Sequence, residues 1–541
     1  MVAGQCVFAI PEIVRLIFSQ LGSSAHESVI FLGTLDIPFD PSQPEDHRNG
    51  GSDALANLAR CSKFLSCHAL DILWRHQSSI LPLLKTLPTF KKIRNSVDGG
   101  KYTLTGVVQP SHWKGLQLYA NRIQSLRTHS IDPTIDDLVF IQMAQLLHNR
   151  PLMPMLRILS YPDLSHSIFL LLSPSLRSVE LRAESLTKDK ATFFLQSLLQ
   201  KAPSLQSFCS FSPQVFQVPP WTDMVNSGNL RSLVILDAED LDVNGLKDIL
   251  QMPHLSRLCF VACSHSLPLK LPDHMRAYVL RELILSGQSH FISSVLKCLV
   301  QTPLITLRVT YAPPDDAGSL EDIWADRLLT ISSWSQSLSV LELQEQQLLQ
   351  PEPEWEDNER LVLHNPIFDP LLKIRGLKKF IFRPNITFDF CDDEIRNLAR
   401  AWPEIEFLHL GTWGITKVPS AKFVALEAFA MFCPKLLSLL IRVDVERLPL
   451  SPRVSKHRLQ NLRIDYPAYG FLESLLGRYL DALFPELLSI EGNDDLEDTI
   501  VGDHDDPKLV WRHVASTVKL FQAARGDNER RRRMGDSAAE K

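Results

Sequence analysis

The sequence predicts an α/β protein in which a small helical domain precedes a long array of stacked strand–helix units. Three observations lead to this prediction. An apolar motif recurs along most of the chain, a proline precedes many of its copies, and two amphipathic helical stretches lie near the start. The 541 residues are 45% hydrophobic and 22% charged, which is enough apolar material for packed cores.

The recurring motif has the form apolar-x-x-apolar-x-apolar, as in "LRSVEL" and "LRELIL". Its copies begin at residues 123, 156, 176, 205, 230, 255, 280, 304, 338, 377, 405, 436, 459 and 487. The intervals between copies run from 20 to 39 residues, with a mean of 28. We number the residue that follows the motif as position seven. Because strand side chains alternate between two faces, positions three, five and seven point away from positions four and six.

Proline marks the phase of the motif. It stands two residues before the first apolar residue at Pro154, Pro174, Pro203, Pro253, Pro403, Pro434 and Pro485. Runs with helical spacing, such as "KATFFLQSLLQKA", come before it. Proline cannot continue a helix and pushes the preceding residue into extended geometry, so each unit is predicted to be a helix, a proline stop and a short strand. One such unit cannot bury its apolar face alone, whereas stacked copies can.

This pattern resembles the leucine-rich repeat family over about two-thirds of the chain. The copy "LSRLCFVAC" even places Cys263 where that family has Asn or Cys, but most copies lack such a residue, so the chain is similar to an irregular, long-repeat variety. The resemblance implies a solenoid with parallel strands on the concave face and helices on the convex face. From the residues alone, the alternative is an ordinary α/β domain with Leu-rich strands.

The two N-terminal stretches predict three short helices. In "FAIPEIVRLIFSQL", residues 8–21, Pro11 suits the first helical turn, and Ile13 and Ile17 share one face. In "ALANLARCSKFLSCHALDILWR", residues 54–75, Ser66 is predicted to cap the last of the three helices. Residues 22–53 between the stretches are rich in Pro, Gly and Asp, and they indicate a surface loop.

These stretches resemble the F-box of fungal F-box proteins, from which the 22–53 insert departs. The resemblance implies a Skp-type adaptor interface formed by Ile10, Pro11, Ile13, Ile17, Leu21, Leu58, Phe64, Leu70 and Trp74. Within that set we assign Ile13 and Leu58 to the core, and Pro11, Ile17 and Phe64 to the interface. The alternative is a helical cap that covers the first repeat, and the two roles are compatible.

Together, an F-box and leucine-rich repeats resemble the substrate-receptor subunit of a Skp–cullin–F-box ubiquitin ligase. Such a subunit reaches cullin through the adaptor, holds a protein substrate for ubiquitin-dependent degradation and does no covalent chemistry itself. The alternative is a repeat scaffold for protein interactions with a degenerate F-box and no ligase role, which the long insert motivates.

The outward motif positions suggest where a substrate binds. Basic residues cluster in the later copies at Arg308, Lys379, Arg383, His409, Arg442 and Arg463. We hypothesise that this basic strip receives an acidic or phosphorylated segment, because arginine forks suit such anions. The alternative is that these charges only keep the sheet soluble.

Other classes of function find little support in the sequence. The net charge of −6 gives no sign of nucleic-acid or membrane binding, and no apolar run approaches the ~20 residues of a membrane span. There is no Gly-rich phosphate loop and no Gly-x-Ser-x-Gly elbow, so we expect no catalytic residues and no cofactor. Cys259, Cys263 and His265 lack a second ligand pair, so we expect no metal. Nine scattered cysteines indicate reduced thiols in the cytoplasm or nucleus.

The predicted organisation has four parts. Residues 1–90 are the F-box with its insert at 22–53, and residues 91–120 are a helical linker. Residues 121–492 are the repeat solenoid. Residues 493–541 comprise an acidic loop, a capping helix and a disordered basic tail.

Overall fold

The computed structural model describes residues 17–18, 50–93, 101–128, 135–183, 186–236, 243–261, 275, 277–312, 320–346, 362–363, 365–384, 387–411, 419–444, 448, 453–464, 473–492 and 507–539. The chain divides into two compact units, Met1–Ile235 and Leu236–Lys541. The domain boundaries predicted at residues 90, 120 and 492 stay predictions.

The first unit begins with helices that share a small apolar core. Helix α1 spans Gly50–Cys61 and α2 spans Lys63–Leu73, and Ile17 and Phe18 are also helical. The side chains of Phe18, Leu55 and Ala69 form the buried centre of this core. Because α1 starts at Gly50, the last four residues of the predicted surface loop are helical.

The N-cap of α2 is Ser62. Its side-chain oxygen accepts a hydrogen bond from the backbone N–H of Leu65 at 3.1 Å. The predicted cap, Ser66, was wrong, since it lies within the first turns of α2 and its N–H donates to the carbonyl of Ser62 at 2.9 Å. Serine is a preferred N-cap residue, so the sequence allowed either position. The actual cap is Ser62, which lies between the end of α1 and the start of α2.

A hairpin follows where the sequence predicted a helical linker. After β1 (His76–Gln77) and the short α3 (Leu81–Leu84), strands β2 (Phe90–Ile93) and β3 (Lys101–Leu104) pair antiparallel. The rings of Phe90 and Tyr102 stack across this pair at 5.3 Å between centroids. Only the second part of the predicted linker is helical, as α4 (Pro110–Ala120).

The repeats of the first unit form a parallel sheet in the order β1-β4-β5-β6-β7-β8. Its later strands are β4 (Ser125–Arg127), β5 (Ile158–Tyr161), β6 (Ser178–Leu181), β7 (Ser207–Ser210) and β8 (Ser232–Leu236). The helices between them are α5 (Asp137–Leu147), α6 (Ile168–Leu171), α7 (Lys188–Lys201) and α8 (Pro219–Asn226), with a 3₁₀ helix at Pro213–Gln217.

The second unit continues the same design in the order β9-β10-β11-β12-β14-β16-β17-β18-β19. These strands are β9 (Arg257–Val261), β10 (Glu282–Gly287), β11 (Thr306–Tyr311), β12 (Val340–Glu345), β14 (Lys379–Arg383), β16 (Phe407–Leu410), β17 (Ser438–Ile441), β18 (Asn461–Ile464) and β19 (Ser489–Gly492). A separate parallel pair joins β13 (Val362–Leu363) to β15 (Thr387–Phe388).

The helical segments of the second unit are less regular than its strands. Its α-helices are α9 (Val243–Leu250), α10 (Ser289–Cys298), α11 (Leu320–Ile331), α12 (Asp392–Ala401), α13 (Leu426–Phe432), α14 (Glu473–Leu483) and α15 (Pro507–Ala539). Segments of 3₁₀ helix lie at Ser332–Trp334, Asn365–Lys373 and Phe423–Ala425.

Every copy of the motif contains a strand, and each of these strands begins at the third motif position. The first and fourth positions are buried in all copies, as at Leu377 and Phe380 of β14. The predicted α/β class, with parallel strands and intervening helices, is therefore confirmed. The assignment of the strands to a concave face stays a prediction.

Where a proline follows a helix, the helix ends as predicted, but the residue before the proline does not reach the extended geometry that was expected. The residues before three of them, Ala202, Trp402 and Cys433, leave the helix with φ of −125°, −119° and −115° and ψ near 62–65°. The carbonyl of each then accepts a hydrogen bond from the first residue of the motif, as in Ile405 N to Trp402 O at 3.2 Å. The proline removes the helical continuation, and this bond sets the position of the strand.

A shared carbonyl joins one unit to the next at the start of the strand. The carbonyl of Ser339 accepts hydrogen bonds from the N–H groups of Lys378 at 2.8 Å and Lys379 at 3.1 Å. The carbonyl of Gln460 accepts from Leu488 and Ser489 in the same way, at 2.7 and 3.0 Å. This bond pair aligns equivalent motif positions on neighbouring strands, so that their outward side chains form continuous rows.

Helix α15 covers the last strand of the second unit. The indole of Trp511 lies against Gly492 so closely that a Cβ there would be 2.1 Å from its Cδ1 atom, and the side chain of Thr517 lies against Gly477 of α14 in a similar way. Gln522 donates to the carbonyls of Pro485 and Leu487. The helix continues to Ala539 and so includes the charged segment that the sequence predicted to be disordered.

Candidate interaction surfaces

The helical core at the start of the chain exposes two of the predicted adaptor-binding residues. The side chain of Ile17 is 39% exposed, although its neighbour Phe18 is buried. Phe64, in the first turn of α2, is 45% exposed, and its ring meets only the edge of His68 among the aromatic contacts of the described chain, at 5.2 Å. Ile10, Pro11, Ile13 and Leu21 lie outside the described residues.

Three other predicted adaptor-binding residues have contacts within the chain. Leu58 packs against the small apolar core, as the sequence predicted. The ring of Trp74 lies 4.7 Å from the ring of Tyr119 in α4. Leu70, which is partly buried, accepts a backbone hydrogen bond from Trp74 at 3.0 Å. Trp74 therefore serves to pack α2 against α4.

Arg122 also fastens α2 to the residues after α4. Its guanidinium forms an ion pair with Asp71, and it donates to the carbonyl of Cys67 at 3.1 Å. These contacts fix one side of α2 within the first unit, so the exposed Phe64 projects from an anchored helix.

The predicted substrate-binding residues lie on the outward face of the second unit's sheet. The strand register places the fifth motif positions in one row: Cys259, Ile284, Arg308, Glu342, Ile381, His409, Leu440, Arg463 and Glu491. The seventh positions of β14, β16 and β17 are Arg383, Gly411 and Arg442. The structure thus brings the predicted residues onto one surface, with Arg308 at one side and Arg463 towards the other.

Glu342 interrupts the predicted basic strip. Its Oε1 atom lies 2.7 Å from Lys379 Nζ and 3.4 Å from Arg308 Nε. The two cations therefore share one carboxylate, which compensates half of their combined charge. Sequence reasoning missed this residue, although the motif copy "LSVLEL" places Glu342 at the same fifth position as Arg308.

His409 is a neutral side chain rather than a cation at physiological pH. Burial, together with the smaller effects of the charges on Arg383, Lys379 and Arg463, lowers its pKa from 6.5 to about 4. One ring nitrogen, Nε2, lies 2.9 Å from the hydroxyl oxygen of Ser438 on the next strand. His409 therefore adds no positive charge to the predicted basic strip, mainly because it is buried and to a smaller extent because its neighbours are basic.

Arg442 is buried, with 7% of its surface exposed. Arg383 and Arg463 are half-buried, with their side chains in outward positions. Gly411 occupies the seventh position between Arg383 and Arg442, so this outward position has no side chain, which was not predicted from the sequence. A Cβ at Gly411 would lie 3.2 Å from Leu440 Cδ2 and 4.0 Å from Arg383 Cγ.

A second arginine–glutamate pair lies inside this unit. Arg327 of α11 and Glu345 at the end of β12 are both buried, with Nη1 and Oε1 3.5 Å apart. The Arg327 guanidinium also lies over the rings of Tyr311 and Trp324, at 3.8 and 4.5 Å from their centroids, and donates to Ser289 at 2.8 Å. Burial lowers the pKa of Arg327, while Glu345 and Tyr311 oppose that shift.

Searches for other kinds of site gave no positive finding in the parts of the chain that the structure describes. No group of three or more His, Cys, Asp or Glu side chains there is placed to hold a metal ion. No helix within those parts has both the length and the apolar character to cross a membrane. Burial raises the pKa of the Cys259 thiol to about 12, so it stays protonated, and Cys263 and His265 lie outside the described residues.

No family model matches the chain, and no curated protein matches its sequence. Among solved structures, the chain is similar to the leucine-rich repeat-containing protein LegL7 from Legionella pneumophila, with 13% identity and a TM-score of 0.25. That match covers 63% of this chain and 91% of the other.

Proposed function

We propose that this chain is the substrate-receptor subunit of a Skp–cullin–F-box ubiquitin ligase. The observation that carries the proposal is the exposure of Ile17 and Phe64 on helices whose other apolar side chains pack into a shared core. Apolar anchors of this kind suit the groove of a helical partner, and aromatic anchors often dominate such interfaces.

In this proposal the helical region binds the Skp-type adaptor, and through it cullin, while the outward face of the sheet binds a protein substrate. The receptor does no covalent chemistry. It raises the effective concentration of the substrate's lysines beside a separately recruited conjugating enzyme, so its contribution is proximity and orientation. We also propose a cytoplasmic or nuclear location, because the nine scattered cysteines indicate reduced thiols.

The first test is a pull-down of the whole chain with a Skp-type adaptor, beside the double variant Ile17→Ala/Phe64→Ala. Fully burying an exposed anchor contributes about 1.5–3 kcal/mol, and less than half of each side chain is still exposed, so we expect the double variant to lose about tenfold or more in affinity. Its melting temperature is measured alongside, because each side chain is also partly buried within the free chain and its truncation could affect folding.

Leu118→Ala is the matched control. Leu118 is also an exposed apolar residue of the first unit, on α4, and its truncation removes similar surface without touching α1 or α2. Full binding by the double variant would contradict the proposed interface.

A second candidate is a repeat scaffold without a ligase role, which the 22–53 insert favours. In an F-box the two helical stretches are usually joined by a short turn, and an insert of this length is able to cover the adaptor-facing surface. Failure of the intact chain to bind the adaptor, when a control F-box protein binds it, would select this candidate.

A further inference from the structure

The copy of the motif that begins at Leu459 is held by a histidine where other copies use a backbone carbonyl. In seven copies a proline stands two residues before the first motif residue, and at this place the Leu459 copy has His457. The N–H of Leu459 donates to the ring nitrogen Nδ1 of His457 at 3.1 Å. In the preceding copy, the N–H of Leu436 donates instead to the carbonyl of Cys433, also at 3.1 Å. A titratable side chain therefore replaces the turn carbonyl at this copy.

The same imidazole also joins this copy to the one before it. Its second ring nitrogen, Nε2, lies 2.7 Å from the carbonyl oxygen of Cys433. A backbone N–H can only donate, so Nδ1 accepts from Leu459, and Nε2 carries the proton that is donated to Cys433. Only the neutral Nε2–H form of the ring satisfies both contacts. A proton on Nδ1 would face the N–H of Leu459 and so replace the acceptor by a second donor.

His457 is enclosed by the elements around it. It is 5% exposed, and its ring meets the ring of Phe484 edge-on with the centroids 5.4 Å apart. Its backbone N–H donates to the hydroxyl of Ser455 at 3.0 Å, and the N–H of Ser455 donates to the carbonyl of Ala482 in α14 at 2.9 Å. Because so little water reaches the ring, a positive charge on it is costly as long as this closed arrangement is kept.

The groups around the ring act on its protonation in opposite directions. Burial lowers the pKa of His457, whereas the hydrogen bond to the Cys433 carbonyl and the charge of Glu486 oppose that shift. The other charged or titratable side chains of the neighbouring elements are exposed or have a partner of their own: Arg453, Lys456 and Arg458 beside it in the chain, Glu427, Cys433 and Lys435 on α13 and the turn after it, and Glu473, Arg478, Tyr479 and Asp481 on α14. Because the effect of burial prevails, the ring takes up a proton more readily when this segment opens.

We propose that His457 makes the attachment of β18 to the sheet sensitive to pH. The neutral ring holds the turn before β18, and protonation of Nδ1 breaks the bond to Leu459 and favours an opened form of residues 453–464 in which the ring reaches water. The pKa of the closed form lies below 6.5, so the closed form is fully stable above pH 6.5 and is lost progressively as the pH falls. Asn461 and Arg463 occupy outward positions of β18, so the order of this part of the outward face follows the pH.

The test is amide hydrogen exchange of the full chain, measured by mass spectrometry between about pH 7.5 and 5 and expressed as protection factors that correct for intrinsic exchange. We expect the protection of residues 455–464 to fall about tenfold over this range, since each pH unit below 6.5 changes a linked equilibrium by up to about tenfold. Residues 205–210 are the internal control, because they contain no histidine and the N–H of Leu205 donates to the Ala202 carbonyl at 3.2 Å. An equal fall in both segments would overturn the proposal.

His457→Asn removes the titration and keeps an acceptor for Leu459. An asparagine side-chain oxygen accepts from the N–H two residues later, as in an Asx turn, and it takes up no proton in this range. The protection of residues 455–464 should then no longer depend on pH. His409→Gln, which replaces the histidine of β16, is the matched control and should keep the pH dependence of the unsubstituted chain.

A pH dependence that persists in His457→Asn, or that disappears in His409→Gln, would contradict the assignment to His457. The melting temperature of each variant at neutral pH shows whether it folds. If His457→Asn does not fold, the comparison of residues 455–464 with residues 205–210 in the unsubstituted chain still decides the question.

Discussion

Strands β9–β12 and strands β14, β16, β17 and β18 of the second unit share one register but differ in the charges on their outward face. On β9–β12, arginine meets glutamate: Arg257 lies 3.4 Å from Glu282, and Arg308 lies 3.4 Å from Glu342. On β14, β16, β17 and β18 the described outward positions include four cations and no carboxylate. The difference teaches that the fold constrains the first, fourth and sixth motif positions, whereas the third, fifth and seventh are free to vary the charge of the surface.

The largest effect should come from the buried pair beneath β12. Replacing Arg327 by Ala leaves Glu345 buried without that partner, so we expect the free energy of unfolding to fall by about 3–5 kcal/mol in a denaturant titration. Arg308→Ala, in a partly exposed pair, should cost at most about 1 kcal/mol. Arg327→Met/Glu345→Met should recover much of the loss, because it removes both charges. Similar losses for Arg327→Ala and Arg308→Ala would remove the distinction between a structural pair and a surface pair.

The next effect concerns the basic strands and pH. The pKa of His409 is lowered in the folded chain from 6.5 to about 4, so the unfolded chain binds more protons between these values. Stability is therefore full above pH 6.5 and falls as the pH falls towards 4, by at most about 3 kcal/mol from this residue. His457, whose pKa burial also lowers, contributes in the same direction.

His409→Gln should flatten this part of the pH profile while His457 keeps its share. The measurement is the free energy of unfolding of both proteins at several pH values between 4 and 7. Parallel profiles would show that His409 titrates normally, and that the positive field assigned to the basic strands is weaker than we infer.

The smallest effect on stability should follow from removing a carboxylate from β12, which makes its outward charges resemble those of β14, β16, β17 and β18. Glu342→Gln removes the carboxylate shared by Arg308 and Lys379, with a change in unfolding free energy within about 1 kcal/mol. The released charges extend the basic surface, so retention of an acidic peptide should rise about two- to fivefold. Glu282→Gln, further from Gly411 on the same sheet, is the control, and an equal rise in both would indicate a non-specific charge effect.

The strands were predictable from sequence because their signals are local. The third motif position starts a strand in every copy, since a proline or turn precedes it and apolar side chains alternate within it. The strand β1 was missed because His76 and Gln77 carry no motif of their own and pair only through the neighbouring strand β4. The hairpin β2–β3 was missed for a similar reason, because its two strands depend on each other.

The candidate site was predictable only in part. Register alone placed Arg308, Lys379, Arg383, His409, Arg442 and Arg463 on one face. The protonation state of His409, the burial of Arg442 and the sharing of Glu342 by two cations depend on neighbours distant in sequence, which no local pattern encodes. Gly411 was visible at its seventh position, but the effect of a missing side chain depends on what lies on either side.

The turn at each proline has a consequence for how this chain tolerates change in length. Because the carbonyl before the proline fixes the first motif residue, as at Trp402 and Ile405, the strand takes its alignment from its own turn and not from the number of residues before it. The spacing between copies varies from 20 to 39 residues without altering which side chains face outward. Insertions and deletions between strands thus leave the same side chains facing outward. A loop can therefore lengthen in evolution while the outward face stays unchanged.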